Sequence, residues 1–258
     1  MDDTIRRQYG PAADIVSRML LEIRKLNKDE NLDDLISRCC DIANGQKKYI
    51  DECGFPETQL QATISKDTKS DEHTALGINM LSGVAEGNFL KITAEMLQAR
   101  HILEIGMYTG YGTVSMAESP YCVELVTLEI DPTYEKFLTS RLAGTNLESK
   151  VCIMMGPAMD SLVQLKEQGK KFDFVFIDAD KQGYLNYYKY IMDNNLLGPN
   201  GAIACDNALW YGRTFNQADT NGKVLHEFIE FVKKDERVYQ ILLPIRDGIL
   251  LIKPKVNL

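Results

Sequence analysis

The sequence predicts an α/β fold built on a mostly parallel sheet, and three observations carry that prediction. Short apolar runs alternate with longer amphipathic segments over the last two thirds of the chain, the pattern of strands joined by helical crossovers. The run His101–Ile105 breaks at Gly106 into a turn bearing Gly106, Gly110 and Gly112, which feeds a helix near Tyr111. The last two apolar runs are joined only by Pro244–Gly248, too short for a crossover, so the final strand is expected to be antiparallel.

Taken in order, residues 1 to about 54 read as helical. Ile15, Met19, Leu20, Ile23 and Leu26, then Leu32, Leu35 and Ile36, recur at helical spacing; Pro11 suits an early helical position. The stretch Ala62–His73 is polar and reads as a loop or connector. The chain therefore divides into an N-terminal helical extension, 1–72, serving as a cap or dimer element, and a Rossmann-like domain, 73–258. That domain opens with helices over Leu76–Leu81 and Phe89–Leu97 around a break at Ser82–Gly83. Seven strands follow, at 101–105, 123–129, 151–155, 172–178, 201–205, 238–243 and 249–252. Helices are expected at 111–118, 132–142, 159–168, 183–194 and 222–234.

Composition narrows the function. A hydrophobic content of 45% supports a sizeable core, and a net charge of −8 argues against a nucleic-acid partner, which would need a basic face. No apolar run is long enough to span a membrane, and Met1–Arg7 shows no secretory core. The six cysteines form no C-x-x-C pair; Cys122, Cys152 and Cys205 lie in or beside apolar runs, which suits reduced, buried thiols in a cytoplasmic protein. With His73, His101 and His226 the only histidines, no Ser–His–Asp or Cys–His arrangement is suggested.

Ligands of open α/β sheets bind beyond the carboxyl ends of the strands. Four such ends carry chemistry here. The first holds Glu104 and Gly106, the second Glu129, the fourth Asp178, Asp180 and Lys181, and the fifth Asp206 and Asn207. The glycine spacing is G-x-x-x-G-x-G rather than the dinucleotide G-x-G-x-x-G. With an acid at the tip of the second strand to grip ribose hydroxyls, an adenosine-bearing cofactor without a pyrophosphate cradle is expected. Asp178, Asp206 and Asn207 offer the hard oxygens that suit Mg²⁺. Taken singly, each is more often a helix cap or turn residue than a ligand. Lys181 beside such a cation suits a general base, or else is a surface lysine opening a helix. Trp210–Tyr211 directly follows this pair and offers an aromatic wall for a planar ligand.

These residues fall into a known pattern. Glu86-Gly87-x-Phe89-Leu90, Leu103-Glu104-Ile105-Gly106 with Tyr108-Thr109-Gly110-Tyr111, Gly156-Pro157-Ala158, Phe172 to Lys181, and Asp206-Asn207-x-Leu209-Trp210 together resemble the cation-dependent, S-adenosylmethionine-dependent O-methyltransferases of the catechol and caffeoyl-CoA type. The resemblance runs from about Met80 to Ile252. It implies a class I methyltransferase sheet of seven strands, the last antiparallel, in a homodimer acting on a small-molecule acceptor with vicinal hydroxyls. It places donor contacts at Ser82, Glu104, Gly106, Tyr108, Gly110, Glu129, Ala158 and Asp180, the cation on Asp178, Asp206 and Asn207, and catalysis on Lys181 and Asp178. Trp210 and Tyr211 would face the substrate. Caffeoyl-CoA enzymes usually carry serine at Gly112 and asparagine at Tyr211. The segments Leu242–Ile249 and Met80–Gly83 look closer to microbial members that methylate small cyclic enols, including deoxygadusol-type carbocycles. An NAD-dependent oxidoreductase and a non-catalytic binding protein stand as the alternatives of other classes.

Overall fold

The computed structural model describes residues 12–70, 80–216 and 219–255. Pro11, His73 and most of the helix expected over Leu76–Leu81 lie outside them. Helices α1 (Ala12–Leu26) and α2 (Glu30–Cys53) form a hairpin whose second arm is capped by Asp29, accepting from the Asn31 N–H. Helix α3 (Gln59–Ser70) and helix α4 (Gly83–Met96) follow.

The sheet then alternates with helices: β1 His101–Ile105, α5 Tyr111–Ala117, β2 Glu124–Glu129, α6 Pro132–Leu142, β3 Val151–Met155, α7 Ala158–Glu167, β4 Phe172–Ile177, α8 Tyr184–Asp193, β5 Leu197–Cys205, α9 Thr220–Lys234, β6 Val238–Leu243 and β7 Ile249–Pro254. Its order is β3-β2-β1-β4-β5-β7-β6. Strand β7 runs antiparallel between β5 and β6, as the short Pro244–Gly248 connection requires. Strand β5 begins earlier than the sequence suggested, because a register irregularity between Phe172 and Phe174 lets Leu197 pair before the Pro199–Gly201 stretch.

The strands are covered on both faces, which is why they read as continuous apolar runs. Leu103, Val175, Ile177 and Ile203 face one core with Tyr184, Tyr188 and Phe228. Ile102, Phe174, Phe176 and Ala204 face the other with Leu90, Val114 and Leu138. Chain direction across the sheet reverses between β1 and β4, so their carboxyl ends form the crevice in which such folds bind ligands.

Two expectations are corrected. The polar stretch read as a connector is helix α3, and its buried face is Gln61, Ile64, Ser65 and Thr68. Only one of those four is apolar, so hydrophobic periodicity does not register. Polar bonds seat the helix instead. Gln61 Nε2 donates to Ser115 Oγ at 2.8 Å, Thr68 Oγ1 bonds Thr109 Oγ1 at 3.0 Å, and Asp67 pairs with Arg141 at 2.9 Å. Cys152, expected to be buried, is exposed on β3 because β3 is the sheet edge. The helical spacing read over residues 15–36 is found in α1 and α2, though of that apolar set Ile36 is buried while Met19, Ile23, Leu26, Leu32 and Leu35 are exposed. No helix among the described residues is long and apolar enough to cross a membrane.

Candidate active site

A cavity of about 760 Å³ opens over the carboxyl ends of β1, β4 and β5. Its first wall is the turn after β1. Gly106 has φ +94°, and a β-carbon there would lie 2.1 Å from the Asp178 carbonyl oxygen, so only glycine lets β1 and β4 end side by side. Glu129, at the tip of β2, fixes the same turn. One carboxylate oxygen accepts the N–H groups of Met107 (3.2 Å) and Tyr108 (2.9 Å), the other those of Ile130 (2.7 Å) and Asp131 (2.9 Å). Asp180 accepts from the Tyr187 hydroxyl at 2.5 Å, and Tyr134 packs edge-on against Tyr108 at 4.8 Å between ring centres.

Gly106, Tyr108, Glu129, Ala158 and Asp180 all line this cavity. Ser82 and Glu104 instead border a small adjoining hollow of about 10 Å³ beneath the turn. Glu104 is buried there, holding Thr113 Oγ1 at 2.5 Å and Thr127 Oγ1 at 2.6 Å, and burial pushes its carboxyl up to about 8. A side chain at Gly112 would press on that carboxyl, its β-carbon standing 2.9 Å from Glu104 Oε1. Gly110 points elsewhere: it caps α5 at φ +86° with its α-carbon against Leu138.

The second feature is a cluster of acids. Asp178 after β4, Asp206 after β5 and Glu86 from the first turn of α4 each offer an oxygen, all within 4.8 Å of one another. Asp206 Oδ1 and Glu86 Oε1 are buried and have no hydrogen-bond partner. Burial, reinforced by the neighbouring carboxylates, pushes Asp206 well above the usual carboxylate range. Glu86 is pushed up to about 7 by burial, with Arg246 pulling the other way. Asn207, at φ +55°, donates its amide to Asp247 at 3.4 Å, and its carbonyl oxygen takes no hydrogen bond from any described residue. Converging carboxylates with orphaned oxygens are costly unless a cation joins them. An all-oxygen donor set fits a hard divalent ion.

Lys181 sits against this cluster, its Nζ 3.0 Å from Asp178 Oδ1 and 2.8 Å from the Tyr184 hydroxyl. The structure thus brings Asp178, Asp206, Asn207 and Lys181 together. It adds Glu86, which the sequence reading quoted only as a motif residue. The available signal was its position: Glu86 shares the buried face of α4 with Leu90 and Ala94.

The third wall is aromatic. Trp210 and Tyr211 line the cavity from a short 3₁₀ turn, Trp210–Gly212, against which α1 packs. Asp247 Oδ1 accepts the Tyr211 N–H at 2.7 Å. Burial, then the charge of Asp247, pushes the Tyr211 phenol up to about 12. Asn207, Trp210, Tyr211 and Arg246 all hold left-handed backbone conformations, a concentration of local strain around one site.

Comparison with known proteins agrees with this geometry. Residues 57–255 match the O-methyltransferase family model. The chain is 32% identical over 184 residues to caffeoyl-CoA O-methyltransferase 2 of Populus trichocarpa, covering 67% of this chain and 74% of that one. It is 37% identical over 141 residues to a catechol O-methyltransferase of Niastella koreensis, covering 54% and 63% of the two chains. Its fold superposes on a Podospora anserina methyltransferase solved with S-adenosylhomocysteine bound, with a TM-score of 0.75 at 27% identity over 83% of this chain and 96% of that one. The nicotinamide-dinucleotide alternative, already disfavoured by the glycine spacing, is set aside. A reversed-order sheet, a strand-end cavity and a match spanning most of the sequence lead to one assignment: the chain belongs to the O-methyltransferase family and is an S-adenosylmethionine-dependent enzyme of the caffeoyl-CoA and catechol type.

Proposed function

We propose that this enzyme methylates one of two adjacent hydroxyls on a small catechol-like phenol or cyclic enediol and depends on a divalent cation, Mg²⁺, which an all-oxygen donor set suits. The observation that carries the reading is the buried acid cluster with two unpartnered oxygens beside the strand-end cavity. Asp178, Asp206 and Asn207 would hold the ion, with Glu86 a further oxygen at the same place. When bound, the cation polarises the acceptor oxygens and S-adenosylmethionine supplies an electrophilic methyl group on a sulfonium.

The chain's own residues do the rest. Glu129 and Gly106 shape the donor side of the cavity, while Trp210 and Tyr211 wall the acceptor side and exclude water. Lys181 takes the acceptor's proton. Its Nζ, 3.0 Å from Asp178 Oδ1 and 2.8 Å from the Tyr184 hydroxyl, is the basic group positioned beside the acid cluster for that role. Orientation of the resulting oxyanion toward the methyl carbon supplies much of the acceleration.

Methyl transfer from S-adenosylmethionine to a panel of ortho-diphenols, with Mg²⁺ and with excess chelator, tests the reading. Turnover that stops in chelator and returns with Mg²⁺ is expected, whereas undiminished turnover in chelator removes the cation from the reaction. Asp178→Ala is expected to abolish turnover while S-adenosylhomocysteine still binds. The exposed apolar side chains of α1 and α2, among them Leu26, Ile42 and Tyr49, support a homodimer joined through this hairpin.

A further inference from the structure

Seven carboxylates and two cationic groups line the cavity. Most are engaged. Glu129 holds four backbone N–H groups, Asp180 the Tyr187 hydroxyl, and Asp247 the Tyr211 N–H and the Asn207 amide. Of the cations, Lys181 is held by Asp178 and Tyr184.

Arg246 is different. It donates Nη1 to the Ser82 carbonyl and places Nε 3.4 Å from Glu86 Oε2, while Nη2 donates to no described residue. Its side chain keeps 26% of its exposure and borders the cavity. The support is stiff: Arg246 sits at φ +50° in the β6–β7 turn, and its neighbour Asp247 is tied to the loop after β5. The guanidinium shares the cavity with Trp210 and Tyr211, and its chain neighbour Asp247 holds the Tyr211 N–H, which sets Arg246 beside the aromatic wall. It is also one side chain away from the acid cluster, through Glu86.

A planar guanidinium with one edge that no described residue takes up, in a cavity otherwise rich in acid, is built to receive a carboxylate. We propose that Arg246 determines specificity by recognising a carboxylate on the acceptor, so that favoured acceptors are vicinal diols or enediols carrying a carboxylate on the same skeleton. This rests on the reading that the diol is held on a cation at Asp178 and Asp206. Their carboxylates hold the diol end, and a carboxylate a few bonds away reaches Nη2.

Calorimetric titration of the protein loaded with Mg²⁺ and S-adenosylhomocysteine, using protocatechuate and the matching neutral benzyl alcohol, tests the assignment. The wild type is expected to bind protocatechuate roughly tenfold to a hundredfold more tightly, the range of a charge-assisted hydrogen bond. Arg246→Met should bring the ratio to about one, and Arg246→Lys should retain part of it through its charge. S-adenosylhomocysteine affinity reports that each variant is folded. Equal affinities in the wild type, or a ratio that survives Arg246→Met, overturn the assignment and leave the methyl-transfer reading standing. An Arg246-dependent ratio that is identical without Mg²⁺ sustains the arginine and overturns the cation-held diol.

Discussion

Asp206 and Glu86 bring carboxylate oxygens within 4.8 Å of each other at the cavity floor, and each keeps one oxygen buried without a partner. They come from distant parts of the chain, the turn after β5 and the first turn of α4. Burying two carboxyls so close together, with Arg246 beside just one of them, opposes folding, which makes the pair sensitive to cation binding.

Asp206→Asn should therefore separate stability from activity. The metal-free protein should melt at the same temperature or higher, because a carboxyl that burial forces well above its ordinary range is replaced by a neutral amide. The rise in Tm produced by Mg²⁺ should disappear, and turnover should fall by about two orders of magnitude or more. Thermal melts with and without Mg²⁺, beside a methyl-transfer assay, decide it; a variant that keeps its Mg²⁺ response removes Asp206 from the ion.

Glu104 gives a pH signature away from the acid cluster. Its carboxyl moves from an ordinary value of 4.5 up to about 8 on folding, because burial outweighs the two threonine hydrogen bonds. The folded state then binds more protons than the unfolded chain, so this group's contribution to stability declines as pH rises from about 4.5 to about 8. Glu104→Gln cannot titrate. Its stability relative to wild type should climb between about pH 5 and about pH 9, measured by urea unfolding. A constant difference across that range would show that Glu104 is already ionised in the folded protein.

Gly106→Ala tests the close approach of β1 and β4. Its β-carbon would meet the Asp178 carbonyl at 2.1 Å, in a backbone region that L side chains avoid. A loss of several kcal/mol, or displacement of Asp178 with loss of S-adenosylhomocysteine binding, is expected. Urea unfolding and calorimetry together read both outcomes, and a variant with wild-type stability and affinity would contradict the packing described.

Lys181→Gln should lower kcat about a hundredfold to ten-thousandfold, with little change in S-adenosylhomocysteine affinity. Single-turnover methyl transfer measures this directly. A variant within a few fold of wild type would assign the proton to solvent.

The α1–α2 hairpin offers a further check. Ile42→Glu and Tyr49→Glu place charge on apolar surface that is exposed in one chain. A dimer joined there should dissociate in both variants by analytical ultracentrifugation. Variants that stay dimeric would move the contact elsewhere.

How legible these features were depended on what each residue had to satisfy. The sheet was readable because strands covered on both faces must be apolar throughout, as Phe172–Ile177 is. Asp178, Asp206 and Asn207 were readable because they stand directly at strand ends. Helix α3 was hidden because three of its four buried residues are polar, and two of them, Gln61 and Thr68, meet hydroxyl partners far along the chain. Glu86 and Arg246 were hidden for a related reason: their pairing spans the whole domain, and each is ordinary until the other is placed beside it.

The contact between Asp247 and the Tyr211 N–H has a practical consequence for redesign. It locks two separate loops into one rigid unit, and the same aspartate holds the amide of Asn207. Transplanting the β6–β7 turn from a relative to alter acceptor choice would therefore also shift Asn207, and turnover would drop for every acceptor alike. Exchanging both loops together, Asp206–Gly212 with Pro244–Gly248, would preserve the lock and let selectivity change on its own.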